Sequence, residues 1–160
     1  MNGRATGHAF VIAQATLIIA LALVPNADHI TVPGWLRTAA DVGFWVGCIV
    51  AIIAAIFLGR SLTATPVPNR RATLRTTGPY RFVRHPIYSG VVMIVLAMAI
   101  RSTNILGFGL GAATVGFFHW KSSWEEARLT ERFPEYRGYA ARTPRFVPRP
   151  RRDRPDASSG

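Results

Sequence analysis

Four long stretches of this chain carry almost no charge, although its formal net charge is +11. Phe10–Val24 is interrupted only by Gln14 and Thr16, Val42–Gly59 and Ile87–Ile100 are uncharged, and Ile105–Trp120 contains only His119. A helix of about 20 residues crosses the hydrocarbon layer of a bilayer, and roughly 17 suffice. The pattern therefore predicts an all-α integral membrane protein with about four transmembrane helices, at 8–24, 42–59, 86–102 and 104–120. Cytoplasmic helices over 121–148 complete a single domain, 1–148, and a disordered basic tail follows at 149–160. A soluble bundle would need more polar surface than these runs leave.

The basic residues have a side. Arg4, the six arginines of the loop from Arg60 to Arg84, and the ten Lys and Arg from Lys121 onward make 17; the two other loops hold only Arg37 and Arg101. The positive-inside rule then puts both termini and the central loop in the cytoplasm, which requires an even number of spans. Topology and attraction to anionic headgroups account for the basic excess, so no nucleic-acid partner is expected. Arg4 ahead of the first run, with Ala20-Leu21-Ala22 at its end, also has the outline of a cleavable signal sequence; a retained span fits the charge distribution. The single cysteine, Cys48, excludes an intrachain disulfide and a cysteine-cluster metal site, and no metal is expected.

Local punctuation sets the connections. Trp35 and Trp45 flank the entry to the second run as interfacial anchors do. Asp41 lies one turn after Arg37, a spacing that predicts an ion pair between them, with a proton-relay role for Asp41 as the alternative. Pro86 suits the first position of the third helix. Arg101-Ser102-Thr103-Asn104 is long enough only for a tight hairpin, so the third and fourth helices are expected to be antiparallel neighbours. Gly107, Gly109, Gly111 and Gly116 in the fourth permit close helix contact, or line a groove for a ligand.

That hairpin brings two polar clusters to one membrane face. Thr77–Gly90 packs Tyr80, Arg81, Arg84, His85 and Tyr88 between prolines and glycines; Lys121–Glu126 leaves the fourth helix with Lys121, Glu125 and Glu126. Arg84 and Lys121 suit an anionic ligand or a lipid phosphate, and Glu126 either a proton-accepting role or a solvated helix face. Adjacent residues on a helix point about 100° apart, so one of the two glutamates is expected to face the shared pocket.

The segment Gly78-Pro79-Tyr80-Arg81-Phe82-Val83-Arg84-His85-Pro86-Ile87-Tyr88-Ser89-Gly90 resembles the signature of integral membrane methyltransferases, which include isoprenylcysteine carboxyl methyltransferases and phospholipid methyltransferases. Glu125-Glu126-Ala127-Arg128-Leu129, Phe133, Glu135-Tyr136, Tyr139 and Arg142–Pro148 are similar to that family's C-terminal block, so the likeness covers roughly Ala72–Pro148. It implies S-adenosylmethionine as cofactor, bound by Tyr80, His85, Pro86, Ile87, Tyr88 and Glu125, with Ala72, Thr73, Leu74 and Arg75 contributing. It implies a substrate role for Lys121, where the isoprenylcysteine enzymes carry an arginine; the charge is kept and the bidentate fork is not. Arg84 and Glu126 remain the catalytic candidates. The expected activity is methyl transfer to a lipophilic, membrane-associated acceptor such as an isoprenylcysteine-like carboxylate or a small lipid thiol. A phospholipid amine is the alternative acceptor, and a lipid-binding scaffold the non-enzymatic alternative.

Overall fold

The computed structural model describes residues 3–59 and 74–149, and among them it is all-helical. In chain order, α1 is Gly3–Ala22, α2 Gly34–Leu58, α3 Pro86–Ser102, α4 Ile105–Arg132 and α5 Tyr136–Arg142, with a 3-10 turn at Gly78–Arg81 ahead of α3. Ala72, Thr73 and most of the basic central loop lie outside the described residues, as does the tail beyond Arg149.

Two of the four expected spans have helices long and apolar enough to cross a membrane, at Ala5–Ala22 and Gly34–Leu58. The third is an apolar helix of 17 residues. The fourth is the first half of a 28-residue helix that continues into the polar segment without a break. Second-helix boundaries also shift: α2 starts at Gly34 and takes Trp35, Arg37 and Asp41 into its first two turns. Its outer surface is apolar and uncovered, with Trp45, Ile49, Ile52 and Ile56 each more than half exposed. An apolar face of that extent fits contact with lipid chains.

Small residues let α2 and α3 approach backbone to backbone. A Cβ on Gly47 would lie 2.7 Å from the Gly90 carbonyl oxygen, and one on Gly90 would lie 2.8 Å from the Ala51 nitrogen. Beyond this crossing, Leu21, Val95 and Ala99 form a buried cluster with Ile18, Val91, Met98 and Leu110 against it. Phe10 of α1, 3% exposed, meets the rings of Phe117, Trp120 and Trp124 on α4.

The α3–α4 hairpin is tighter than four residues. Thr103 takes a left-handed φ of 47°, and Asn104 caps α4 by accepting the Leu106 N–H at 2.9 Å. The same two residues tie down the segment after α1: Asn104 Nδ2 donates to the Pro25 carbonyl at 3.1 Å, and the Thr103 hydroxyl donates to that of Ala27. Asp41 pairs with Arg101 across this end of the bundle. That corrects the expected Arg37–Asp41 couple, because α3 delivers a guanidinium to Asp41 from a neighbouring helix. Of the four α4 glycines, Gly107 touches the Ser102 side chain and Gly111 lies against Ala99, whereas Gly109 and Gly116 face open space.

The glycine contacts make a graded test. Gly90→Ala places a methyl against the α2 backbone and is expected to destabilise by about 1–3 kcal/mol. Gly109→Ala meets nothing within 4 Å and is expected to be neutral or to stabilise by up to about 1 kcal/mol. Thermal melts of the two variants in one detergent check both signs.

Candidate functional site

The site is built where the N-terminal end of α3 meets the polar half of α4. Gly78 opens the 3-10 turn at φ 60°, where a side chain would collide with the Phe57 ring. The turn buries Tyr80, whose hydroxyl donates to the Ala54 carbonyl at 3.3 Å, while Tyr139 of α5 donates to the Tyr80 carbonyl at 2.5 Å. Burial, with Glu125 and Tyr139 nearby, keeps the Tyr80 phenol protonated well above its ordinary range. Pro86 then starts α3, its missing N–H falling where a helix has no acceptor for one.

After α5 the chain runs back alongside the start of α3 as a strap. The Arg84 N–H donates to the Pro144 carbonyl at 2.9 Å, the His85 N–H to that of Arg145 at 3.1 Å, and the Ser89 hydroxyl to that of Phe146 at 2.7 Å. Phe146 thereby reaches a ring-to-ring distance of 6.0 Å from His85.

Glu126 sits at the junction. Arg84 grips it with Nε at 2.9 Å and Nη2 at 3.2 Å, and Arg145 with Nε at 3.1 Å and Nη2 at 2.7 Å. His85 Nε2 lies 3.0 Å from the same Oε1, and because an ionised carboxylate only accepts, that nitrogen carries the proton. The remaining Arg84 nitrogen donates to the carbonyls of Ala140 at 2.7 Å and Thr143 at 2.6 Å. Burial by itself raises the Glu126 pKa, but the hydrogen bonds from His85, Arg145 and Arg84 outweigh it and hold the carboxyl at about 2. Burial also raises the Tyr139 phenol to about 12, the Arg84 charge opposing.

Glu125 turns the other way. Its Oε2 accepts from the Tyr88 hydroxyl at 2.9 Å and lies 3.9 Å from His85 Nδ1, and its side chain is 24% exposed. The rings of His85 and Tyr88 are parallel within 1° at 5.3 Å. Lys121, 2% exposed, donates to the Gln14 side-chain carbonyl of α1 at 2.6 Å, its ammonium 5.1 Å from the Tyr88 ring centroid. Tyr88 therefore touches both Glu125 and Lys121. Tyr136 contributes a buried hydroxyl with no hydrogen-bond partner among the described residues.

Of the residues expected at the site, Tyr80, Arg84, His85, Pro86, Tyr88, Lys121, Glu125 and Glu126 come together here, with Ile87 half-buried on the first turn of α3. Leu74 is half-buried and Arg75 exposed on the run into the 3-10 turn. Both Glu126 oxygens are engaged by cationic or N–H donors, and its affinity for a proton is low. Gln14 and Arg145 are additions. Gln14 had a signal, a polar side chain inside an apolar run; Arg145 had none beyond its membership of the C-terminal block.

A family profile described as phospholipid methyltransferase matches residues 35–136. The nickel-cobalt-cadmium resistance protein NccN of Alcaligenes xylosoxydans xylosoxydans is 36% identical over 106 residues, covering 65% of this chain and 49% of that protein. The cobalt-zinc-cadmium resistance protein CzcN of Cupriavidus metallidurans is 30% identical over 120 residues, covering 67% of this chain and 53% of that protein. The chain thus spans about half the length of these relatives. Among the described residues, no group of three or more His, Cys, Asp and Glu is arranged to hold a metal.

The Glu126 junction has a titration signature. With a pKa of about 2 against an ordinary 4.5, Glu126 adds stability that is fully present above about pH 4.5 and is lost as the pH falls toward 2, on the order of 3 kcal/mol. Glu126→Gln is expected to destabilise the protein at neutral pH by about 3 kcal/mol, since it strands two arginines, and to flatten the acid limb. Melting temperature against pH in detergent, for wild type and variant, measures both effects.

Proposed function

The chain belongs to the phospholipid methyltransferase family, and on that premise we propose that it transfers a methyl group from S-adenosylmethionine to a lipophilic, membrane-associated acceptor. Two apolar helices of membrane-spanning length agree with a membrane protein. We extend this to four spans, with α3 and the first half of α4 as the shorter pair, and to cytoplasmic termini on the strength of the 17-to-2 division of basic residues.

The observation that carries the reading is the Glu125–Tyr88–His85 group under Phe146. Its donor set fits the cofactor. Glu125 keeps unused acceptor capacity for an amino group or ribose hydroxyls, His85 Nδ1 lies 3.9 Å from the Glu125 carboxylate, and Tyr136 offers a hydroxyl without a hydrogen-bond partner among the described residues. Aromatic faces of His85, Tyr88 and Phe146 suit a purine or a sulfonium. Tyr80, Pro86 and Ile87 shape the wall, and Leu74, Arg75, Ala72 and Thr73 are assigned to the same site from the family pattern.

S-adenosylmethionine, when bound, supplies an electrophilic methyl on a cationic sulfur, so these residues have to align and desolvate more than they have to move protons. Alignment is effective when the reacting atoms are held within about 3–3.5 Å. Glu126, with Arg84 and Arg145, fixes the strap and so the position of Phe146 and the orientation of His85. We therefore assign Arg84 and Glu126 to holding this geometry, and proton acceptance, where an acceptor needs it, to Glu125. Lys121 is the residue assigned to the acceptor. Its ammonium is a point charge held by Gln14 and not a planar fork, which accommodates a phosphate or carboxylate oxygen without demanding bidentate geometry.

Calorimetry tests the cofactor. Folded protein in detergent is expected to bind S-adenosylmethionine, and Tyr88→Phe to weaken binding about tenfold by removing the hydrogen bond that orients Glu125. Glu125→Ala is expected to weaken it further. A folded wild-type protein that takes up no S-adenosylmethionine would leave the lipid-binding scaffold as the better account.

A further inference from the structure

A second site lies at the other end of the bundle. A half-open cavity of about 550 Å³ occupies the space where the C-terminal ends of α1 and α3 meet the Asp41–Trp45 stretch of α2. That volume falls within the range of small-ligand sites. Its floor is apolar, from Leu21, Met98 and Phe44, and its mouth holds Asp41, Arg101 and Trp45. Arg101 and His85 are 16 positions apart, at opposite ends of α3, or about 24 Å along the helix. This cavity is therefore separate from the Glu125–Tyr88 group.

We propose that the cavity binds a phospholipid with a zwitterionic headgroup, taken from the leaflet at the hairpin end of the bundle. Charge complementarity selects the headgroup. The wall carries one carboxylate and one guanidinium, so a ligand with a single charge would strand one of them, whereas an ammonium and a phosphate engage both. Asp41 and Arg101 now neutralise each other, at 49% and 58% side-chain exposure. A pair so open to solvent holds little stability, and exchanging it for two ligand contacts loses little. Arg101 presents a planar fork to phosphate oxygens. Phe44 and Trp45, edge to face at 5.5 Å, offer ring faces to the ammonium and sit as interfacial aromatics do. The apolar floor selects an acyl chain over water.

This inference does not rest on the methyltransferase reading. Native mass spectrometry of the full chain, released from detergent after equilibration with equal phosphatidylethanolamine and phosphatidylglycerol of matched chains, reads it directly. Wild type is expected to retain one phosphatidylethanolamine about tenfold over phosphatidylglycerol. Asp41→Asn leaves Arg101 alone and is expected to turn the preference toward phosphatidylglycerol, and Arg101→Gln to lose both lipids. Met98→Trp, which fills the floor without touching a charge, is expected to expel the lipid and gives the answer if a charge variant fails to fold. Glycerophosphoethanolamine, which has the headgroup and no chains, is expected not to compete. Equal retention of the two lipids by wild type, an unchanged preference in Asp41→Asn, or full displacement by the chainless headgroup would each overturn the proposal.

Discussion

Everything at the candidate site depends on one carboxylate being kept ionised away from bulk water. Glu126 is reached by two guanidiniums and a ring nitrogen from two separate segments: Arg84 and His85 on the approach to α3, and Arg145 on the strap after α5. A half-buried carboxylate with one cation faces a desolvation cost that can exceed the attraction, but two forks and a histidine fill its lone pairs. Arg84 spends its last nitrogen on the carbonyls of Ala140 and Thr143, so the same side chain also fixes the end of α5. The strap is thus held by charge and by backbone bonds together, and Phe146 follows from it.

Adjacent glutamates on one helix turn have been given different environments by this arrangement. Helix geometry points Glu126 toward the strap and Glu125 toward α3, with His85 between them at 3.0 Å from one and 3.9 Å from the other. Fixing the His85 proton on the nitrogen that faces Glu126 leaves its second nitrogen directed at Glu125. The commitment of one carboxylate therefore fixes which His85 nitrogen the other one meets. A saturated glutamate and an available one is a division of roles that the dipeptide itself does not declare.

Much of the fold was legible because it is governed by local rules. The uncharged runs locate four helices, Pro86 marks the start of α3 to the residue, and the short polar link forces α3 and α4 into a hairpin. What local rules could not supply was partner choice. Arg37 and Asp41 have helical spacing, yet Asp41 pairs with Arg101, because a guanidinium from a neighbouring helix is nearer than one on its own. Likewise the Glu126 cluster needs Arg145 from 19 positions away, and only a folded strap brings it there. The site's residue types were readable from the family likeness and the spacing of charges. Their roles were not, since whether a carboxylate is free or saturated depends on tertiary neighbours.

Helix α1 shows the same limit in a sharper form. It lies outside the stretch matched by the family profile, and by composition it is one more apolar helix. Yet its Gln14 supplies the side-chain acceptor for Lys121, which is 2% exposed and whose ammonium otherwise has the Tyr88 and Phe118 rings and the more distant Glu125 charge. An amide stabilises the charge without cancelling it, whereas a carboxylate at that position would form a closed ion pair and quench it. Burial lowers the Lys121 pKa, and the Gln14 acceptor, like the Glu125 charge, works in favour of the ammonium beside Tyr88. A polar residue in a membrane helix is expensive unless it answers a polar group on a neighbour, and Gln14 answers the one cation that α4 carries into the apolar interior. In this chain the charge that faces the proposed acceptor is set partly by a helix that the family pattern does not describe.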